Sequence, residues 1–393
     1  MEPVLQQMKE RVRDAAARQV PLRIRGGGSK DFHGGVPLQG EELDTRAYCG
    51  IVSYEPSELV VTARAGTPLA EVEALLAEHG QCLAFEPPHF GASTNAHATV
   101  GGMVAAGLSG PARASVGAVR DFVLGVQLVN GRAEHLTFGG QVMKNVAGYD
   151  VSRLMVGAWG TLGLLTQVSL KVLPLAPAEA TLRFVCSQAE ALRRLNAWSG
   201  QPLPLNASCW TPIAQSANSE NSDSEGHLDV RLRGAVAAVE AACHRMGGER
   251  LDTGNTADMA EHWSACREQR SAWFAARAPS ASAPPDLDLW RLSVPDTAPV
   301  LALPEGVAPP LVEWHGALRW VQAPRAHAEA LYEKALLAGG SASLFIAGSA
   351  GAISASGCFA AHAAALGVIH QRLRQAFDPA GIFNPARASA VGA

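Results

Sequence analysis

Apolar positions along this chain recur with two periods, and each period predicts its own kind of element. Val4, Leu5, Met8 and Val12 share one face of an N-terminal helix, and a short strand at Leu22–Arg25 follows. LVVTARAG, residues 59–66, reads as a further strand. It feeds a helix with Thr67 as N-cap, Pro68 in its first position, Leu69, Val72 and Leu76 along one face, and Gly80 as its stop. From 119 to 172 the period shortens: VRDFVLGVQLVNGRAEHLTF sets Asn130-Gly131 between two apolar runs, a hairpin signal, and TLGLLTQVSLKVLP alternates as another strand. Beyond Pro177 the polar or proline-rich stretches 216–226, 278–286 and 295–310 predict long loops in a second, more irregular domain. Leu366, Ile369, Leu373 and Phe377 then mark a C-terminal helix that Asp378-Pro379 stops.

Composition narrows the classes of function. A chain of 393 residues, 48% hydrophobic and 17% charged, can bury one or two large cores. Its formal charge of −4 leaves no basic footprint for nucleic acid. The N-terminal segment is amphipathic rather than signal-like, and no apolar run approaches the ~20 residues of a membrane span, so the expected location is the cytoplasm. Seven cysteines are scattered singly, without the spacing of zinc or iron–sulfur ligands. Any redox centre must then be a bound organic cofactor. His262 with Cys266, and His362 with His370, lack further identifiable ligands, so no metal is expected.

Three glycine signals carry candidate chemistry. In IRGGGSKDFHG, residues 24–34, Gly26, Gly27 and Gly28 precede Ser29 and Lys30. Neither the dinucleotide fingerprint nor the P-loop pattern is present. Consecutive glycines can still turn backbone N–H groups inward as an anion nest, although a flexible turn is the simpler reading. In EPPHFGASTNAHATVGGMVAAGLSG, residues 86–110, Gly101-Gly102 opens a helix of small residues whose N-terminus favours a phosphate, and tight helix packing would want the same residues. In GYDVSRLMVGAWGTLGLLTQVSLKVLP, residues 148–174, Gly157, Gly160 and Gly163 bracket the entrance to a strand, where a flat ring can approach the main chain or a β-bulge can sit.

In this order the three segments resemble the FAD-binding domain of the vanillyl-alcohol oxidase family, the PCMH-type flavoproteins. R-G-G-G-S would be the first diphosphate loop, P-P-H with T-V-G-G-M the second, and G-x-x-G-T-L-G-L-L-T-x-V-S-L-K the adenine-side strand. The fold so implied is α+β: a two-lobed FAD-binding domain over 1–175 with lobes of about 1–90 and 91–175, a smaller α+β cap over 176–345, and a segment from 346 to 393 that returns to the FAD domain through DPAGIFNPAR. Within that family, GAVRDFVLGVQLVNG, FGGQVMKNVAGYDVSRLM and VEWHGALRW are similar to the FAD-binding subunits of bacterial glycolate oxidases. The resemblance implies a complex with a larger flavoprotein subunit and an iron–sulfur subunit, at most peripheral to the inner membrane. Its reaction would oxidise glycolate, or D-lactate, to the 2-oxo acid.

The resemblance also assigns residues. Gly28 and Ala98 stand where relatives carry a covalent histidine or cysteine, which implies non-covalent FAD. The cofactor-binding set is Gly26, Gly27, Gly28, Ser29, Lys30, Pro88, Thr99, Gly101, Gly102, Lys144, Gly160, Gly163 and Leu164. Oxidation of a 2-hydroxy acid needs a cation for the carboxylate and a base for the hydroxyl proton. Arg291 and Arg319 are the candidate cations and His315 the candidate base. Stacking on the flanking tryptophans, and a structural place for the histidine, stay open for these three. The H-x-G-D-G-N-x-H metal motif of related 2-hydroxy-acid dehydrogenases is absent. That absence favours the alternative function, a flavin-bearing scaffold that stabilises a catalytic subunit without oxidising substrate.

Overall fold

The N-terminal periodicity folds as the helix Glu2–Arg18, which buries Leu5, Met8, Val12 and Ala15. That face lies on Leu22, Leu43, Leu164 and the C-terminal Ile382 and Phe383, and this packing, more than propensity, holds the helix. The structure is a computed structural model and describes residues 2–34, 38–91, 97–140, 150–213, 225–251, 256–275, 287–348 and 364–387.

Three sheets build the N-terminal part among the described residues, one of them the short pair Gln81–Cys82 with Leu173–Pro174. Leu22–Arg25 pairs in parallel with Glu41–Asp44. A five-stranded antiparallel sheet has the order Ile51–Glu55, Val60–Arg64, Leu164–Lys171, Val123–Val129, His135–Gly139. Its core side, with Val61, Val126, Val168 and Leu170, is covered by Leu69, Val72 and Leu76 of the helix Leu69–Glu78 and by Met103 and Val104 of Val100–Ala106. Because this sheet interleaves 51–64 with 123–171, a lobe boundary near residue 90 would cut across it.

Two local expectations change in the structure. Thr67 is not the N-cap; Pro68 is, and the buried Thr67 hydroxyl accepts from Gly50 N at 2.9 Å instead. The Asn130-Gly131 hairpin carries a longer loop than a two-residue turn, because strand pairing ends at Val129↔His135. Asn130 Oδ1 accepts from Arg132 N and Glu134 N inside that loop, while Gly131 N donates to Phe377 O, tying the loop to the C-terminal helix.

The cap is one eight-stranded sheet, antiparallel throughout, in the order Glu249–Arg250, Ala178–Ser187, Glu225–Gly234, Leu205–Pro212, Leu311–Glu313, Leu318–Ala323, Asp288–Ser293, Ser341–Ile346. Side chains alternate across it. Trp210, Val230, Trp290, Leu292 and Val321 meet the helices Gln188–Ser199, Val236–Met246 and Ala328–Leu337 on one face. Cys209, Leu289, Leu311, Trp320 and Phe345 form the other, where Phe32, Phe90 and Leu108 of the N-terminal part pack against them. The stretch 278–286 lies outside the described residues, as does most of 216–226.

Buried charge fastens the two parts. Glu86 accepts from Arg231 at 2.6 Å, from Arg233 at 3.3 Å and from Ala112 N, while Glu268 of the cap accepts from His89 N and Phe90 N. Burial pushes the Glu86 carboxyl up, but Arg231 and Arg233 outweigh it and hold the group below its ordinary value. Its contribution is therefore present above the unfolded carboxylate range and is lost as pH falls through the depressed folded value. Glu86→Ala leaves Arg231 buried without its partner and is expected to destabilise the chain by roughly 3–5 kcal/mol. Calorimetric unfolding at neutral pH checks it, and a loss below about 1 kcal/mol would show the pair to be dispensable.

Candidate functional site

Where the strand Leu22–Arg25 ends, the chain turns through Gly26, Gly27 and Gly28, the last with φ +73. None of the backbone N–H groups from Gly26 to Lys30 donates to an acceptor among the described residues. All five residues line a groove of about 110 Å³, together with Thr99, Gly101, Gly102, Gly160, Gly163, Trp159, Asn384 and Arg387. The glycines are required by contact as well as by conformation. A Cβ on Gly26 would meet Thr99 Oγ1 at 2.2 Å, and one on Gly27 would meet His97 O at 1.5 Å. The first loop and the turn into the helix Val100–Ala106 thus press together, and only a bare backbone fits.

The second loop works differently from the sequence expectation. Gly101 N donates to Ala65 O and Gly102 N to the capping Thr99 hydroxyl, so neither is free for a ligand. Their role is close approach: a Cβ on Gly101 would sit 2.7 Å from Ala65 Cβ. On the far side, Gly160 has φ +70 and abuts Asn384, whose Oδ1 accepts from Ile24 N and whose Nδ2 donates to Trp159 O. Arg387 donates to the carbonyls of Lys30, Asp31 and His33 and lies over the Trp159 ring, which stacks flat on His33. Burial, Arg387 and Arg291 hold His33 well below its ordinary value, hence neutral. The Lys30 ammonium is lowered to about 8, chiefly by burial, and lies over Phe90.

Other expected residues fall elsewhere. Leu164 is buried in the core under the N-terminal helix, and strand alternation gives its place in the groove to Leu165. Pro88 lines a second, smaller cavity, between the N-terminal part and the cap. Lys144 lies outside the described residues.

The three cap residues are not brought together. Arg291 is opposite Trp320 in the sheet register and Arg319 opposite Leu292, so the two arginines occupy opposite faces. Arg319 is fully buried on the helix-covered face and donates to the carbonyls of Gly316 and Ala298, which makes it a clip for the 295–310 loop. His315, at φ +54, spends both ring nitrogens on Ser208 and Ser115 hydroxyls at 3.0 Å, and burial pushes it down to about 4. Neither can meet a substrate. Arg291 does line the second cavity, with Glu313, Trp314 and Trp320.

A family model described as an FAD binding domain matches residues 5–139. Glycolate oxidase subunit GlcE of Escherichia coli K12 is 43% identical over 97% of this chain and 96% of its own length. This chain belongs to the GlcE family of glycolate oxidase subunits. A D-lactate dehydrogenase of Archaeoglobus fulgidus is 33% identical, over 41% of this GlcE-family chain and 35% of its own length. A solved alkyldihydroxyacetonephosphate synthase aligns with TM-score 0.62 at 14% identity, covering 97% of this chain and 75% of that one, a likeness of fold. The PCMH-type FAD-binding fold and α+β class expected from the sequence are those of the family, and FAD is its cofactor.

The groove fits that cofactor. Successive N–H groups without acceptors, flanked by Lys30 and Arg387, suit a diphosphate, and the glycine contacts with Thr99 and His97 keep side chains off the loop. Sequence reasoning missed Trp159, Asn384 and Arg387. The first stands inside the quoted G-A-W-G run, and the other two inside the quoted DPAGIFNPAR, more than two hundred residues further along the chain.

Gly27→Ala is expected to weaken FAD binding more than about tenfold, because strain of ~1–3 kcal/mol must be relieved by moving the loop. Flavin absorbance per chain after gel filtration reads it, and full occupancy would show the contact to be soft. Lys30 loses its charge as pH rises through about 8, so FAD affinity should be level below that value and fall above it. Lys30→Met should flatten this dependence, and fluorescence titration of FAD across the range tests it.

Proposed function

We propose that this chain is the FAD-binding subunit of a glycolate-oxidising complex, holding its flavin without a covalent bond. FAD supplies the two-electron oxidation of a 2-hydroxy acid to the 2-oxo acid. The chain's residues supply the diphosphate nest at Gly26–Lys30, the apolar wall at Ala105 and Leu165, and the aromatic layer of His33, Phe90 and Trp159. The observation that carries the reading is the donor row at Gly26–Lys30 lining one groove with Gly160 and Gly163.

Within this proposal the substrate is glycolate and the electron acceptor an iron–sulfur partner. The relative is named as a subunit of glycolate oxidase, and the seven cysteines of this chain lack the spacing of iron–sulfur ligands, so a cluster that takes the flavin's electrons would sit on another chain. We place the complex in the cytoplasm, at most peripheral to the inner membrane. Among the described residues no helix is long and apolar enough to cross a membrane. Glycolate added anaerobically to the purified complex, and to this chain alone, tests the reading through the flavin spectrum. Bleaching of this chain's flavin in the complex is expected. A flavin in this chain that stays oxidised in both would favour the scaffold, and a chain that never carries flavin would overturn the proposal.

A further inference from the structure

The second cavity lies between two walls that the chain builds for different reasons. On one side are Phe90, Ser109 and Gly110 of the N-terminal part, and on the other Arg291, Glu313 and Trp320 of the cap sheet. We propose that this cavity binds the small 2-hydroxy acid, with Arg291 gripping its carboxylate and Glu313 meeting its hydroxyl group. The proposal deepens the reading of the chain as a glycolate-oxidising subunit and rests on it.

Arg291 is the first observation. Among the described residues its guanidinium has no side-chain hydrogen bond or salt bridge; it stacks on the Trp314 ring, centroid 5.1 Å away. Arg113 of the N-terminal part stacks on the same ring at 4.3 Å, and Trp314 Nε1 donates to Gly110 O, which fixes the indole across the interface. A guanidinium held in this way, with its planar fork turned to a cavity and another cation close by, calls for an anion, and a carboxylate matches its geometry. Burial, with Arg113 nearby, lowers it to about 10, so it remains charged at neutral pH.

Glu313 is the second. It shares the sheet face of Arg291, because Arg291 is paired with Trp320 and the Trp320 indole donates to Glu313 Oε2 at 2.6 Å. The groups that face Glu313 from each neighbouring element are Arg291, Trp320, Cys209 opposite it in the register, Cys266 and Arg267 at the helix end, and Glu86 across the interface. Burial is the largest influence and raises the carboxyl to about 7, with Glu86 adding to it and Trp320 and Arg291 opposing. Cation and acid therefore stand together in a cavity whose other polar side chains are Ser109, Gln269 and Arg267, the last paired with Glu268, as a molecule with a carboxylate and an adjacent hydroxyl requires.

Position is the third. Phe90 lines this cavity and lies under Lys30, which lines the FAD groove. Phe345 lines it too and meets the His33 ring at 5.2 Å, which stacks on Trp159 of the groove. Phe90 thus joins the cavity to the groove through Lys30, and Phe345 joins it through His33 and Trp159.

Calorimetric titration of glycolate into the flavin-loaded chain, anaerobic and reduced beforehand so that nothing turns over, tests the proposal. Saturable binding is expected, with no binding of ethylene glycol, which lacks the carboxylate. Arg291→Met should weaken glycolate at least tenfold while flavin content per chain stays as in the wild type. Arg291→Lys, which keeps the charge but loses the fork, should fall between them. Glycolate affinity of the wild type should drop as pH rises from about 6 to about 8, since ionised Glu313 repels the incoming anion, and Glu313→Gln should remove that dependence. Flavin-loaded wild type that gives no saturable heat, or Arg291→Met that binds glycolate like the wild type, overturns the proposal. A wild type that carries no flavin yet binds glycolate through Arg291 sinks the cofactor reading and leaves this one standing.

Discussion

A row of backbone N–H groups with no acceptor among the described residues is the constraint from which the site follows. Donors from Gly26 to Lys30 are turned into a groove and away from the sheet ladder, and a polar group left unpaired in a folded chain costs free energy. An anion that accepts from several at once removes that cost. Everything nearby keeps the row open. Thr99 and His97 press on Gly26 and Gly27, so no side chain can fill the space, and Arg387 anchors the end of the loop through the carbonyls of Lys30, Asp31 and His33.

The second constraint is the alternation of the cap sheet. One face must be apolar for three helices, and the other must be apolar enough to seat Phe32, Phe90 and Leu108. Charged residues on such a sheet survive only where each has a partner or a cavity. Arg319 finds carbonyls on the helix face, and Arg231 finds Glu86 across the interface. Arg291 finds neither and stands at the cavity wall, while Glu313 has an indole N–H and a raised affinity for its proton. The chemistry of the second cavity is thus what the packing of the sheet leaves over.

The N-terminal helix, four strands of the five-stranded sheet (all but Ile51–Glu55) and the glycine loop were legible in the sequence because each is fixed by neighbours close in the chain. Apolar spacing set the helix face, and adjacent glycines marked the one turn where side chains cannot fit. What was not legible depends on distant contacts. Thr67 looks like a cap until Gly50 is seen to claim its hydroxyl, and Asn130-Gly131 looks like a tight turn until Phe377 is seen to hold Gly131. His315 reads as a base beside Trp314, but both ring nitrogens are taken by serines some one and two hundred residues earlier. Arg291 and Arg319 look equivalent in sequence and differ only through a register that places them on opposite faces.

The same long range governs how the groove comes to exist. Asn384 bonds Ile24 across a separation of 360 residues, and Arg387 reaches Lys30 across 357. Contacts so remote in sequence must offset the loop-closure entropy of the intervening chain. The first diphosphate loop is therefore held in its native shape by the C-terminal segment that folds back over it. FAD binds that finished arrangement and not the open chain, so by mass action the cofactor draws both ends of the polypeptide into the native state together. The docking of the C-terminal segment and the occupancy of the groove are in this sense coupled equilibria, each favouring the other.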